Sequence, residues 1–359
     1  MSRFQLLLSL LLLSLLLIAT GCDTVLQYPD GDGLDPNHPH GRVTLRVRAD
    51  TELLRLGEYE YDFDNPFGLT PTGRSQQLFA ASAPHQLRFT IKAYAVDDNS
   101  ISPVSQATMT FTTPLKEVID ETFDFELLPG EYRIVVWADY VDRGSVSDKY
   151  YDTADFSEII LNESDGHYGS NDFRDAFYGA TQIKVNYADQ PGVDGLVELE
   201  RPMAKYTFVS TDLAEFLDTE MGRTGLTGAN SQHSAPPLSD YTVRVVYTKY
   251  MPGSFNAHNG KPVDSRTGVE YSSLISTLDG DNAQLAFDYV FTNGTDTSVA
   301  VAMEVLHSDG TVVARMPQID VPLRRAHLTI VKGKFLTTKS GGDLGINPDF
   351  DDEFNIEIK

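Results

Sequence analysis

From Gly41 onward, apolar and polar residues alternate along much of the chain. Val43, Leu45 and Val47 are interleaved with Thr44, Arg46 and Arg48; Leu87, Phe89, Ile91, Ala93 and Ala95 are interleaved with Arg88, Thr90 and Lys92. Neighbouring side chains of a strand point to opposite faces, so this period of two predicts half-buried β-strands. The same spacing returns in Tyr241, Val243, Val245 and Tyr247, in Leu285, Phe287, Tyr289 and Phe291, and in Val299, Val301, Met303 and Val305. A different pattern follows the Pro129-Gly130 turn. There Ile134-Val135-Val136-Trp137-Ala138 is apolar at every position, which predicts a strand covered on both faces at the centre of its sheet. Helical signals are few: Asp212-Leu213-Ala214-Glu215 has capping-box spacing and predicts one short helix ending at Gly222. Many short strands separated by turn residues give an all-β class of antiparallel sandwiches.

The first residues break this pattern. Met1 to Arg3 form a short basic start and Leu6 to Ile18 an almost unbroken apolar run. That run falls short of the roughly 20 residues a membrane-spanning helix needs, and its layout is that of a signal peptide. It ends in Ala19-Thr20-Gly21-Cys22, which resembles the lipobox of bacterial lipoproteins. Residues 1–21 are therefore expected to be removed and Cys22 to carry the lipid, tethering the protein to a membrane. Several acyl chains on one residue anchor durably, because each buried methylene adds about 0.8 kcal/mol. Residues 22–41 are rich in Pro, Gly, Asp and Asn and read as a flexible tether. The alternation pauses near Val193–Gly195, so two β-sandwich domains are expected, at 42–195 and 196–359. Thr224 to Ser239, rich in Gly, Ser, Ala and Pro, reads as a surface loop.

Charge and composition narrow the function classes. With 28 Lys and Arg against 52 Asp and Glu, the surface repels phosphate backbones, so nucleic acid is not an expected partner. Cys22 is the sole cysteine, which excludes intramolecular disulfides and thiolate metal sites. No Gly-x-Ser-x-Gly elbow, Ser-x-x-Lys pair or phosphate-binding Gly-x-x-x-x-Gly-Lys loop occurs. The histidines are scattered, and the close pair His38 and His40 lies in the tether. The sequence thus assigns no catalytic residue, no metal site and no cofactor. A carboxylate pair of the glycosidase kind is defined by spatial separation, and sequence does not address it.

Other candidates each carry a plainer reading. Asp30-Gly31-Asp32-Gly33-Leu34-Asp35 has leucine where a calcium loop needs an oxygen ligand, and both it and Asp349 to Glu353 read as solvated turns. Tyr59, Tyr61, Phe63 and Phe67, set among Asp62, Asp64 and Asn65, would stack on sugar rings if exposed; Tyr59, Tyr61 and Phe63 also fit one face of a core strand. Arg55 and Arg74 are read as loop arginines where a protease would release the first strand. Thr24 in Asp23-Thr24-Val25 and Thr153 in Asp152-Thr153-Ala154 resemble the O-glycosylation sequence of exported Bacteroidales proteins.

Several motifs, in order along the mature chain, resemble the Bacteroidales fimbrillin and fimbrial-anchor superfamily, and within it an uncharacterised group of Bacteroidales lipoproteins. They are the lipobox, Pro129-Gly130-Glu131-Tyr132 before Val135-Val136-Trp137, Arg201-Pro202-Met203-Ala204-Lys205, Pro322-Leu323-Arg324-Arg325 with His327-Leu328-Thr329, Lys261-Pro262-Val263-Asp264-Ser265, and Ile346-Asn347-Pro348-Asp349-Phe350. The resemblance implies two tandem transthyretin-like β-sandwiches, lipid-anchored in the outer membrane at the cell surface, and a non-catalytic role in fimbrial assembly, as anchor or cap, or in adhesion. Fimbrial subunits or host and glycan ligands are the implied partners. The alternatives are a carbohydrate-binding or nutrient-capture lipoprotein, and a polymerising pilin activated by loss of its first strand.

Overall fold

In the computed structural model, residues 40–61, 69–71, 84–116, 118–187, 190–223, 236–294 and 296–338 are described. The alternating segments form strands. Gly41–Ala49 is the middle strand of a three-stranded sheet, parallel to Val193–Leu199 and antiparallel to Ile119–Leu127. Facing it is a four-stranded sheet in the order Ala176–Val185, Gly130–Asp142, His85–Ala95, Ala107–Thr113. Val43, Leu45 and Val47 point between the two sheets and share a core with Phe89, Ile91, Ile134 and Val136. The strand following Pro129-Gly130 is interior to its sheet, as its apolar run requires.

A second sandwich pairs a six-stranded sheet with a four-stranded one. The larger runs Ser276–Thr277, Ala283–Phe291, Met203–Ser210, His327–Gly333, Leu54–Tyr61, Leu69–Pro71; the smaller runs Glu270–Leu274, Tyr241–Tyr247, Thr297–His307, Val312–Leu323. A small sheet of Lys261–Pro262, Ser254–Asn256, Ile159–Leu161 and Tyr151–Asp152 draws strands from both halves of the chain. Trp137, on the outer face of the first sandwich, packs against Tyr151 and Phe255 and joins the apolar cluster of the second. The fold is all-β, with two sandwiches that share packed surface.

Three features differ from the sequence expectation. The boundary drawn at 196 falls inside Val193–Leu199, which pairs with the first strand, and Leu54–Tyr61 belongs to the sheet of the second sandwich. Alternation reveals a strand but not its partner, so neither pairing is written in local pattern. The expected polar face of His85–Ala95 is buried: Arg88, Thr90 and Lys92 are almost fully covered. Arg88 donates to Asp139 and to Val146 O, while Lys92 donates to Thr153 O and Ala154 O, so the two cations clamp the following loop onto the sheet. Finally, the helix runs Leu213–Arg223, and its first amides bond to Asp281, from Leu213 N to the main chain and from Ala214 N to the carboxylate. Asp212 instead accepts from Leu336 N and Thr337 N, fastening the end of the described chain.

Candidate functional site

The segment nearest the expected lipid is threaded through both sandwiches. Gly41–Ala49 makes ladder bonds on both sides, and only residues 50–53 separate it from Leu54–Tyr61, which lies parallel to His327–Gly333 in the other sandwich. Arg201 fixes the crossing. Its guanidinium grips Asp175 through two bonds of 2.6 and 2.7 Å and donates to Thr51 O at 2.9 Å. This bidentate geometry is the strong form of carboxylate pairing. Lys205, from the same motif, is buried beside Phe287 and holds Asp172 Oδ1 at 2.5 Å. Burial pulls the Lys205 pKa down, against the upward pull of Asp172.

Asp172 and Asp175 belong to the segment that leads into Ala176–Val185 of the first sandwich, and this segment docks on the second. Ser170 adopts a left-handed backbone (φ 52°), and its amide bonds to Phe287 O at 2.7 Å. Around it lies a buried polar network centred on Asp288. Arg174 Nη1 approaches Asp288 Oδ1 at 2.5 Å, Tyr247 donates to Asp288 Oδ2 at 2.6 Å, and Tyr206 donates to Tyr247 at 2.9 Å. His167 stands between two carboxylates, with Glu163 at 2.7 Å from Nδ1 and Asp288 at 2.6 Å from Nε2. Burial raises the Asp288 pKa, but Arg174 and His167 outweigh it and hold the carboxyl at about 2. Arg325 closes the opposite side of the junction by donating to Tyr178 and to the carbonyls of Thr292 and Gly260. These charged groups are paired with one another across the junction, so they tie the 167–175 segment to the second sandwich.

A shallow cleft of about 170 Å³ lies on the six-stranded sheet, lined by Val209, Leu328 and Ile330 with Arg55, Gln284 and Asn282 at its rim. None of its described lining residues is aromatic.

The sequence candidates are distributed as follows. Cys22, Thr24, Arg74, Phe63, Phe67 and the Asp349–Glu353 run lie outside the described residues. Thr153 is only 7% exposed, and its hydroxyl donates to Asp148 Oδ1 at 2.8 Å, so a glycan there requires that bond to break. Arg55 lies within a strand opposite Leu328, not in a loop. Tyr61 is buried and packs against Phe335, in keeping with a core strand. His327 donates from Nδ1 to Arg325 O. Sequence reasoning missed Asp172, Arg174, Asp175 and Asp288. The density of charge in Asn171-Asp172-Phe173-Arg174-Asp175, set between apolar strands, was the available signal. Among the described residues, no group of three or more His, Cys, Asp and Glu forms a metal-binding cluster, and no helix is long and apolar enough to cross a membrane.

Several solved structures are similar to this chain. One is the fimbrial anchor protein Mfa2 from Porphyromonas gingivalis, at 12% identity and TM-score 0.35, with 77% of this chain and 82% of that one covered. A protein of Bacteroides eggerthii, provisionally described as a cell adhesion protein, has 10% identity and TM-score 0.40, with 86% and 91% covered. A Bacteroides thetaiotaomicron protein, provisionally described as polysaccharide-binding, has 9% identity and TM-score 0.38, with 77% and 80% covered. No curated protein shows significant sequence similarity. The profile described as "Family of unknown function (DUF6562)" matches residues 58–359, most of the chain, and the protein belongs to that family.

Proposed function

We propose that this protein is an exported lipoprotein, held at the outer membrane through Cys22, that anchors or caps a surface fibre without catalysis. The observation that carries the reading is the seating of Gly41–Ala49 between two partner strands, followed at once by the crossing into the second sandwich. A pull transmitted from the lipid along this segment loads two ladders lengthwise, so many hydrogen bonds resist together. Releasing the strand would expose its unpaired neighbours and the core behind Val43, Leu45 and Val47. That cost suits a protein that stays closed better than a pilin that surrenders its first strand, and placing Arg55 inside a sheet removes one proposed cutting point. The lipobox and the fimbrial motifs support the location and the partner class.

The experiment is replacement of Cys22 by Ala in the native cell, followed by fractionation of cells and medium. The anchor reading expects the protein to leave the membrane fraction and its fibres to be shed with it. Retention in the membrane would contradict the lipid anchor, and release of the protein with fibres still attached to cells would contradict the anchoring role.

A further inference from the structure

Exposed strand edges invite pairing with other chains, and natural sheets block them with charge, proline or irregularity. Among the described residues the long free edges follow that rule, with one exception. Ile119–Leu127 carries Asp120, Glu121, Asp124 and Glu126. Val312–Leu323 carries Arg315, Pro317, Asp320 and Pro322, with two register shifts against its neighbour. Ala107–Thr113, the edge of the four-stranded sheet of the first sandwich, is Ala-Thr-Met-Thr-Phe-Thr-Thr and has no charge, no proline and no glycine. Its register against His85–Ala95 is regular from Ala107 to Thr113.

We infer that this edge pairs with the same edge of a second copy of the chain, antiparallel about Thr110, to make one continuous eight-stranded sheet. The sequence is self-complementary about that residue. Thr108 falls opposite Thr112 of the second copy, Thr110 opposite itself, and Met109 opposite Phe111. Thr108, Thr110 and Thr112 are exposed on the outer face, where threonine pairs are favourable cross-strand neighbours. Met109 and Phe111 are half-buried against the core, with Phe111 stacked on Phe123 at 4.6 Å, so their cross-pairs extend an existing apolar layer.

The flanks point to the same occupant. Ile101 and Val104, 94% and 67% exposed, precede the strand, and Val118, 66% exposed, follows it. In an antiparallel copy the segment before the strand of one molecule lies toward the segment after the strand of the other, so exposed apolar groups stand at both ends of the contact. Such a contact is isologous and closes at two copies. Each chain carries a net charge of −24, so the copies repel at long range and added salt strengthens the pair.

The test is sedimentation of the lipid-free Cys22→Ala chain across concentration and salt. A dimer is expected that tightens as salt rises and weakens at least tenfold in Thr110→Lys, where two lysines would meet on the axis, while Thr110→Val retains it. In the same background Thr110→Cys leaves a single thiol, and mild oxidation is expected to link two chains through it. A monomer at all concentrations, a dimer indifferent to Thr110→Lys, or a Thr110→Cys chain that does not cross-link would overturn the inference.

Discussion

Arg174 Nη1 lies 2.5 Å from Asp288 Oδ1, with both side chains almost completely buried, and the pair latches the segment entering Ala176–Val185 of the first sandwich onto Ala283–Phe291 of the second. Removing one member strands the other charge in the interior, a change that costs about 3–5 kcal/mol. Asp288→Ala is accordingly expected to lower unfolding stability by about that amount, read as a reduced urea midpoint. The double variant with Arg174→Met is expected to lose less than the two single losses combined, because no uncompensated charge remains.

Acid should loosen the same junction. The Asp288 carboxyl is held at about 2, below its ordinary 3.8, so its contribution is complete above pH 4 and is lost as pH falls from about 4 toward 2. The shift corresponds to about 2 kcal/mol. His258 acts earlier. Burial, aided by Arg133, lowers its pKa from 6.5 to about 4, so folding favours the neutral ring and that contribution fades as pH drops from about 6.5 to 4. Thermal melts are expected to show declining stability in the first window and a further decline in the second. In Asp288→Asn the lower window should flatten.

Leu45 is the central inward residue of the seated strand and has no exposed surface. Leu45→Ala leaves a cavity between the sheets and is expected to cost about 2–5 kcal/mol. Arg46→Ala on the same strand removes an exposed ion pair with Asp120, which solvent screens, and is expected to leave the urea midpoint almost unchanged. Denaturation of the two variants side by side distinguishes strand packing from surface charge.

Much of the fold was legible because a period of two leaves little choice of secondary structure. The strands built around interior positions such as Leu45, Phe89, Val243 and Val301 follow directly from it. Partnership was not legible. Nothing local to Leu54–Tyr61 says that it pairs with His327–Gly333, because ladder bonds come from the backbone and carry no side-chain signature. The site lay between these extremes. Arg201, Lys205 and Arg325 stood out as motif residues, but their work at the junction depends on Asp172, Asp175 and Tyr178, which only the folded chain brings near. Arg88 and Lys92 looked solvated for the same reason: the loop that covers them is distant in the alternating pattern.

Glycosylation, where present, is expected at Thr24 in preference to Thr153. The Thr153 hydroxyl is bonded to Asp148 and its carbonyl accepts from Lys92, so attaching a sugar would disturb both. Peptide mapping of the native protein is expected to find Thr153 unmodified. A glycan at Thr153 would show that this loop opens before it folds onto the sheet.

Anchoring requires that the mature chain keep its first strand and its lipid while it works. The most direct measurement isolates the protein from its native membrane and determines the mature N-terminus, the intact mass and the assembly state of the same sample. The account predicts a lipidated chain beginning at Cys22, with Gly41–Ala49 intact, found at the base of fibres. A body beginning beyond residue 50, without lipid and repeated along filaments, would contradict it.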